Sequence, residues 1–336
     1  MSVLEGLLAG IVADPLEETR WLVLADWLEE FDDPRRAELL RLHRKMLGGG
    51  GAWWVVGGGT DPVFSHHPPP STLHDLQARM VALLGEGVRP CVPQETITLP
   101  GGVGMSFSFI PPGSFLMGSD HPEAQDDEKP VHRVTLTKGF FLGIHPVTQA
   151  QWRAITGESP SFFKGDNRPV EQVSWADCQE FCRRLTAHLG GRGVVSLPSE
   201  AEWECACRAG TTTEFHFADA ITTDLANYDG NSTWNGSPEG IYREETTEVG
   251  SFPANPWGLF DMHGNVWEWC QDGYGAYSLD NLIDPISLQE QSNDRRVLRG
   301  GSWVIFAGDC HAASRNWHAP DLRGGDNGCR VCFRLD

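Results

Sequence analysis

The stretch Asn255-Pro-Trp-Gly-Leu-Phe-Asp-Met-His-Gly-Asn-Val-Trp-Glu-Trp-Cys-Gln-Asp272 crowds three tryptophans among three acidic side chains. Aromatic rings at this density bury much surface, and carboxylates among them must be paired, hydrated or bound to a metal. Asp261 and Glu268, with the backbone carbonyls of Gly264 and Val266 between them, match the hard-oxygen shell that calcium prefers. A tryptophan-rich core turn with two solvated acids fits the spacing equally well, because no EF-hand loop is present.

The composition excludes some classes of partner. The 336-residue chain carries a net charge of −20, which argues against binding to nucleic acid or to an anionic membrane. No apolar run reaches the length of a membrane span, and residues 1–5 contain an acid and no basic leader, unlike a secretory signal. Nine cysteines without such a signal indicate reduced thiols and a cytoplasmic protein.

The chain divides into three parts by composition. Residues 1–47 carry apolar side chains at helical spacing, and Asp14-Pro15 and Asp33-Pro34 each offer an N-cap and a first-turn proline. Residues 48–95 form a glycine- and proline-rich connector. We therefore predict a small all-α module at 1–47, a connector at 48–95, and a larger domain of strands and helices at 96–336.

Periodicity and capping residues predict the elements that follow the first module. They are a connector helix at 72–84, a hairpin of strands 107–110 and 113–118 turned by Pro111-Pro112, strands at 131–136 and 139–142, and helices at 149–156, at 174–189 and from Ser199 onward. Beyond the last helix we expect mostly irregular structure, held in place by ions or by dense side-chain packing.

A series of motifs in the larger domain resembles a known family. These motifs are Gly113-Ser-Phe-Leu-Met-Gly118, Glu128-Lys-Pro-Val-His132, Pro146-Val-Thr148, Pro169-Val-Glu-Gln-Val-Ser-Trp175, Leu197-Pro-Ser-Glu-Ala-Glu-Trp203, Arg208-Ala-Gly210, Arg299-Gly-Gly-Ser-Trp303 and the closing Cys-Phe-Arg334. In this order they resemble the formylglycine-generating enzyme, or sulfatase-modifying factor, family. The resemblance implies an α+β, modified C-type-lectin-like fold with much irregular structure and bound calcium.

The resemblance also implies which residues bind calcium. At the first site the matching ligands are Asp261 and Glu268 by side chain and Gly264 and Val266 by carbonyl. A second site begins at an Ala-Asn pair in the family, which places Asn227 and Tyr228 among its ligands here. The resemblance thus favours the calcium cage over the core turn.

Family enzymes oxidise a substrate cysteine with oxygen and a copper ion that two thiolates hold. The resemblance assigns Ser302 to the site and places the two cysteines shortly after it. Counting forward from Ser302 puts them at Ile305 and Cys310, and counting backward from the next motif puts the second at Ala307. The first cysteine is therefore missing, and one thiolate cannot form the two-sulfur site that suits monovalent copper. Taken alone, Cys310 is more typical of a small buried hydrophobe than of a copper ligand.

Two functions remain open from the sequence. The first is an oxygen-dependent modifier of a protein or peptide cysteine, with Cys310 and Ser302 as its catalytic candidates and copper as its cofactor. The second is a non-catalytic, calcium-stabilised module that binds a protein or peptide through long loops on a rigid base, as proteins diversified by retroelements do. Its predicted ligand-binding surface consists of Trp303, Ile305, Phe306, Trp317 and His318.

The first 47 residues show a second, shorter resemblance. Leu22-Val-Leu-Ala-Asp-Trp-Leu-Glu-Glu30 and Asp32-Asp-Pro-Arg-Arg36 resemble a repeat-companion module that precedes other domains in some bacterial proteins. The resemblance implies docking to a partner and no chemistry. We therefore expect the helical module to dock an unidentified partner.

Overall fold

A computed structural model describes residues 2–47, 70–287 and 295–335 of the chain. The first part of the predicted connector, residues 48–69, lies outside the described residues. The second part begins with a helix and leads into the first strand, which starts at Gln94, close to the predicted boundary.

Four helices precede that strand: α1 Val3–Ala13, α2 Glu18–Phe31, α3 Pro34–Met46 and α4 Pro70–Gly85. Asp33 caps α3, and Pro34 occupies its first turn as predicted. The predicted start of α2 at Asp14-Pro15 is wrong, because Asp14 ends α1 by donating its N–H to the Gly10 carbonyl. Glu17 caps α2 instead, through its side chain.

Three helices of the larger domain follow the prediction closely: α5 Gln149–Thr156, α6 Trp175–Leu189 and α7 Glu200–Arg208. Each begins with a capping box, in which a Ser or Thr side chain and the side chain three residues later bond reciprocally to the backbone. Thr148, Ser174 and Ser199 are the capping residues. The three helix starts are therefore fixed locally.

The described strands form three sheets. They are β1 Gln94–Thr98, β2 Gly104–Ile110, β3 Gly113–Met117, β4 His132–Leu136, β5 Phe140–Gly143, β6 Val194–Ser196, β7 Trp267–Gly273, β8 Leu282–Ile283, β9 Arg296–Arg299, β10 Arg315–His318, β11 Asn327–Gly328 and β12 Cys332–Arg334. One sheet has the order β1-β2-β5-β12-β6, a second β10-β9-β7-β11, and a third β3-β4-β8. Helices and short strands are mixed along the chain, which confirms the predicted α+β class.

One expectation about the strands is wrong. β2 and β3 do not form a hairpin, because Pro111-Pro112 carries the chain from one sheet into another, where β3 pairs with β4. The chain after α7 is mostly irregular, as predicted, and within it the short strands β7, β9, β10 and β11 build the second sheet. These strands are short and pair over long sequence separations, so periodicity gives little signal for them.

The N-terminal helices and the larger domain share one hydrophobic core. Trp21 and Leu28 of α2 belong to the same buried cluster as Trp203 and Trp257. His43 of α3 reaches into this cluster: its Nε2 lies 3.0 Å from the Ala209 carbonyl oxygen, and its ring meets Trp257 edge-on at 4.2 Å. Burial lowers the pKa of His43 to about 3, so the imidazole is neutral there.

Candidate functional site

The tryptophan-rich stretch consists of a turn followed by a strand. In the turn, the buried Asn255 side chain donates to the Ala206 carbonyl at 2.7 Å and accepts from the amides of Trp257 and Leu259. Gly258 follows with φ +74°, a conformation that favours glycine. From Trp267 onward the chain forms the second-sheet strand β7. The stretch therefore anchors the turn to α7 and supplies a central strand.

Glu268 lies in β7 and is paired with an arginine that the sequence analysis did not select. The Arg330 guanidinium contacts both carboxylate oxygens, with Nη2 2.9 Å from Oε1 and Nε 3.0 Å from Oε2. Trp203 Nε1 donates to Oε2 at 2.6 Å. Burial raises the pKa of the Glu268 carboxyl, and Arg330 and Trp203 oppose that shift. Because protein donors occupy both oxygens, Glu268 does not fit the role of a calcium ligand.

Asp261 has a different environment. Its Oδ2 accepts from the Gly250 amide at 2.7 Å, while its buried Oδ1 has no hydrogen-bond partner among the described residues. An unpartnered buried carboxylate oxygen is costly, and a hard cation would satisfy it. Val266 donates its amide to the Gly264 carbonyl at 3.0 Å, so that carbonyl is already engaged. The chemistry of the predicted clamp fits calcium at Asp261 and not at Glu268.

Asn227, from the second predicted calcium site, is buried beside Gly264. A Cβ at position 264 would lie 2.3 Å from the Asn227 carbonyl oxygen, so this position requires glycine. Its Nδ2 donates to the Glu245 carbonyl at 2.9 Å, and its Oδ1 lacks a partner within the described ranges. Tyr228 packs in a separate apolar cluster. Asn227 thus offers one free oxygen.

The residues predicted to hold copper are buried in apolar surroundings. Cys310 has no exposed surface, lies in a cluster with Phe215 and Tyr228, and donates weakly to the Phe306 carbonyl at 3.7 Å. Burial raises the pKa of the Cys310 thiol, which keeps it protonated. Ile305 is partly buried against the same cluster. Across residues 2–47, 70–287 and 295–335, no group of three or more His, Cys, Asp or Glu side chains is arranged to hold a metal.

Ser302 and Trp303 lie beside acidic residues that the sequence analysis missed. The buried Ser302 hydroxyl donates to Asp326 Oδ2 at 3.4 Å, and Trp303 Nε1 donates to the Gly325 carbonyl at 3.1 Å. Burial raises the pKa of Asp326, with His318 opposing the shift. Phe163 meets the Trp303 ring edge-on at 5.3 Å. We call Ser302, Trp303, His318 and Asp326, with Glu171 described next, the Trp303 patch.

Glu171 carries the most unusual carboxyl of this patch. Its Oε1 accepts from the Phe163 amide at 2.9 Å, and its buried Oε2 has no partner in the described part of the chain. Burial raises the pKa of Glu171 to about 7. A Cβ on Gly325 would lie 4.0 Å from that Oε2. The Glu171 carboxyl therefore lies close to the segment that contains Asp326, just before β11. The only sequence signal was its place in the Pro169–Trp175 motif.

The remaining aromatic residues of the predicted ligand surface are Trp317, His318 and Phe306. Trp317 and His318 are neighbours in β10, and their ring centroids lie 6.4 Å apart. Trp317 also packs on Tyr274 at 6.0 Å and under the Arg295 guanidinium at 3.4 Å. Phe306 is 62% exposed and lines a separate cavity. The cavity beside Phe306 has no lining residue in common with the Trp303 patch.

Comparison with known proteins fits this geometry. Residues 100–335 match the family described as "Sulfatase-modifying factor enzyme 1-like domain". The chain belongs to this family. It is 33% identical over 241 residues to the Serine/threonine-protein kinase pkn1 of Chlamydia caviae, covering 63% of this chain and 35% of that protein. It is 28% identical to the Formylglycine-generating enzyme of Mus musculus, covering 66% of this chain and 73% of that enzyme.

A solved structure shows the same fold. Treponema denticola variable protein 1 superposes with a TM-score of 0.61 at 27% identity, over 72% of this chain and 99% of that one. This likeness confirms the predicted formylglycine-generating-enzyme type of C-type-lectin-like fold. The chain spans only about a third of the length of the kinase relatives, 35% in the case above. Among the described residues, no helix has both the length and the apolar character needed to cross a bilayer.

Proposed function

We propose that this member of the sulfatase-modifying factor family is a non-catalytic module that binds a protein or peptide ligand. The observation that carries the proposal is the state of the expected copper site. By the forward count from Ser302, Ile305 takes the place of the first thiolate, and the remaining thiol, Cys310, is buried and held neutral. A copper(I) centre of the family type requires two accessible thiolates.

The binding surface in this proposal centres on the Trp303 patch. Trp303 and the 71%-exposed Phe162 supply aromatic area, which contributes strongly to recognition surfaces. Asp326 supplies an acceptor beside them, and the buried Ser302 donates its hydroxyl to Asp326 Oδ2. A ligand with exposed donors and an apolar side chain would satisfy these groups together. Trp317 contributes to the stability of the sheet rather than to binding.

The names of similar proteins support a binding role. One relative is a serine/threonine-protein kinase in which the matched region is a part of a longer chain, as expected of an accessory module. A structural relative is a variable protein, consistent with a fold whose loops change while the base is kept. The N-terminal helices, in this proposal, dock an unidentified partner, and the acidic chain acts in the cytoplasm.

Calcium has a limited role in the proposal. Asp261, with its unpartnered Oδ1, would hold the ion at the first site, and Asn227 Oδ1 would do so at the second. The ion would supply positive charge to buried oxygens and stabilise the loops that carry them. Glu268 takes no part, because Arg330 already neutralises it.

Oxygen consumption tests the proposal against the oxidase alternative. Protein supplied with copper(I) is mixed with a peptide containing Cys-x-Pro-x-Arg and a thiol reductant in an oxygen electrode. We expect the same background rate with and without peptide, and an unmodified cysteine by mass spectrometry. Peptide-dependent oxygen uptake with conversion of the cysteine would overturn the proposal and restore the enzyme.

A further inference from the structure

A cavity of about 440 Å³ opens on the side of the loop that carries Phe306. We call it the acidic pocket, and its defining residues are Glu128, Asp309, His311, Trp234 and Phe306. It is lined by carboxylates and aromatic rings, with no lysine or arginine among its lining residues. None of these side chains belongs to the Trp303 patch.

Glu128 provides the main evidence that the acidic pocket binds a ligand. The residue is only 1% exposed, yet its Oε2 has no hydrogen-bond partner within the described residues. Its other oxygen lies 3.2 Å from His311 Nε2. A buried carboxylate with an unpaired oxygen is expensive unless a ligand completes it. The Glu128 side chain lines the cavity, so a ligand bound there would lie beside the carboxyl that carries this unpaired oxygen.

His311 cannot neutralise the pocket by itself. Its Nδ1 lies 3.2 Å from an oxygen of Glu214, so one imidazole ring faces two carboxylates. Even as an imidazolium, His311 would balance only one of them. Asp309 adds a third acid, and its Oδ1 accepts from Gln125 Nε2 at 3.2 Å. The pocket therefore keeps a negative charge that an organic cation could balance.

The walls of the pocket indicate which cation fits. Trp234 stacks on His311 with ring centroids 5.8 Å apart and an interplanar angle of 13°, and its Nε1 is unpartnered among the described residues. Phe306, which is 62% exposed, lines the same cavity. Aromatic faces attract cations, and a planar guanidinium can stack on them while its donors reach carboxylates on more than one side.

We propose that the acidic pocket binds the guanidinium of an arginine side chain of the ligand. Glu128 Oε2 and Asp309 accept its N–H groups, and Trp234 and Phe306 contact its planar face. The inference rests on the proposed binding function and names the chemistry that the bound protein or peptide presents. A lysine ammonium has no planar face to stack on the aromatic rings and no fixed pair of N–H donors for a carboxylate, so it would bind this pocket more weakly.

Isothermal titration calorimetry with N-acetyl-L-argininamide tests this assignment. The comparison probes are N-acetyl-L-citrullinamide, which has a neutral group of similar shape, and N-acetyl-L-lysinamide. We expect binding of the arginine probe that weakens as salt is added, at least tenfold weaker binding of the lysine probe, and no heat from citrulline. Glu128→Gln should weaken the arginine probe at least tenfold, whereas the charge-matched Glu30→Gln on the exposed face of α2 should leave it unchanged.

A second variant protects the test against misfolding. Phe306→Ala alters an exposed side chain, so the fold should persist, and we expect several-fold weaker binding of the arginine probe. No binding to the wild type, equal binding of the lysine probe, or full affinity in both variants would overturn the guanidinium assignment. The proposed function would survive those results, because different observations contradict it: a one-to-one copper(I)–thiolate complex, or oxidation of the cysteine peptide by the copper-supplied protein.

Discussion

The Arg330 guanidinium engages both carboxylate oxygens of Glu268 in the interior of the protein, with Nη2 2.9 Å from Oε1 and Nε 3.0 Å from Oε2. Both side chains are fully buried or nearly so. The pair ties the central strand β7 to the segment just before the last strand, and Arg330 also donates to the Gly143 carbonyl at 2.8 Å. A protein cation thus pairs with a carboxylate, Glu268, that the family resemblance implied as a calcium ligand.

Loss of this pair should destabilise the protein regardless of calcium. Arg330→Met leaves a buried carboxylate uncompensated, which typically costs about 3–5 kcal/mol of unfolding free energy. We expect Arg330→Met and Glu268→Gln to lower the melting temperature equally in calcium and in EDTA, measured by circular dichroism. If the effect of Glu268→Gln disappears in EDTA, Glu268 is a calcium ligand and this account is wrong.

Asp261 provides the matched comparison. Its unpartnered Oδ1 makes it the calcium ligand of the proposal. Calcium should raise the melting temperature of the wild type by several degrees, because an ion that binds only the native state stabilises it by mass action. Asp261→Asn should melt at the same temperature with and without calcium. A wild type whose melting is insensitive to calcium and to EDTA would exclude the site.

Glu171 should make stability depend on pH. Burial raises its folded-state pKa to about 7, from an ordinary value of 4.5. Between these values the folded protein holds a proton that the unfolded chain has released, so the stability due to this group falls as pH rises. Urea unfolding should show Glu171→Gln gaining stability relative to the wild type from pH 5 to pH 7.5. The exposed Glu158→Gln should show no such trend, and a parallel pH profile for Glu171→Gln would refute the shift.

The shared core predicts that the N-terminal helices unfold together with the larger domain. His43→Ala removes the contact with Trp257 and the bond to the Ala209 carbonyl, at a cost of about 1–3 kcal/mol. Scanning calorimetry should give one transition in the wild type and one transition at lower temperature in the variant. His74→Ala, on the exposed side of α4, is the control. Two separate transitions in the wild type would show that the helices form an independent unit.

The sequence predicted those features of the fold that depend on neighbours in the chain. The starts of α6 and α7 follow from capping boxes at Ser174 and Ser199, which are complete within four residues. The order of the family motifs likewise led to the correct fold type. Both kinds of evidence are carried by short, contiguous segments.

Long-range pairing accounts for what the sequence missed. Arg330 lies 62 positions from Glu268, and no periodic pattern links them. Glu171 becomes unusual only because folding buries it near Asp326. The acidic pocket likewise forms only because folding brings Asp309 and His311 from a distant loop to Glu128. The hairpin prediction failed for the same reason, since β2 and β3 pair with strands from elsewhere in the chain.

Cysteine reactivity should reflect the burial of every thiol. All nine cysteines are free and buried. We expect Ellman's reagent to label none of them within minutes in the folded protein and all nine in guanidinium chloride. Cys310→Ala supplies the control for the site thiol. Rapid labelling of one thiol in the wild type that is absent in Cys310→Ala would show that Cys310 is accessible.

Copper(I) titration followed by thiolate-to-copper absorption tests the central claim most directly. The account predicts no one-to-one complex and no absorption band, because Cys310 is a buried neutral thiol and Ile305 replaces its partner. The trace of Cys310→Ser should be the same as that of the wild type. Tight one-to-one binding with a thiolate band that Cys310→Ser abolishes would contradict a non-catalytic module and establish a copper site.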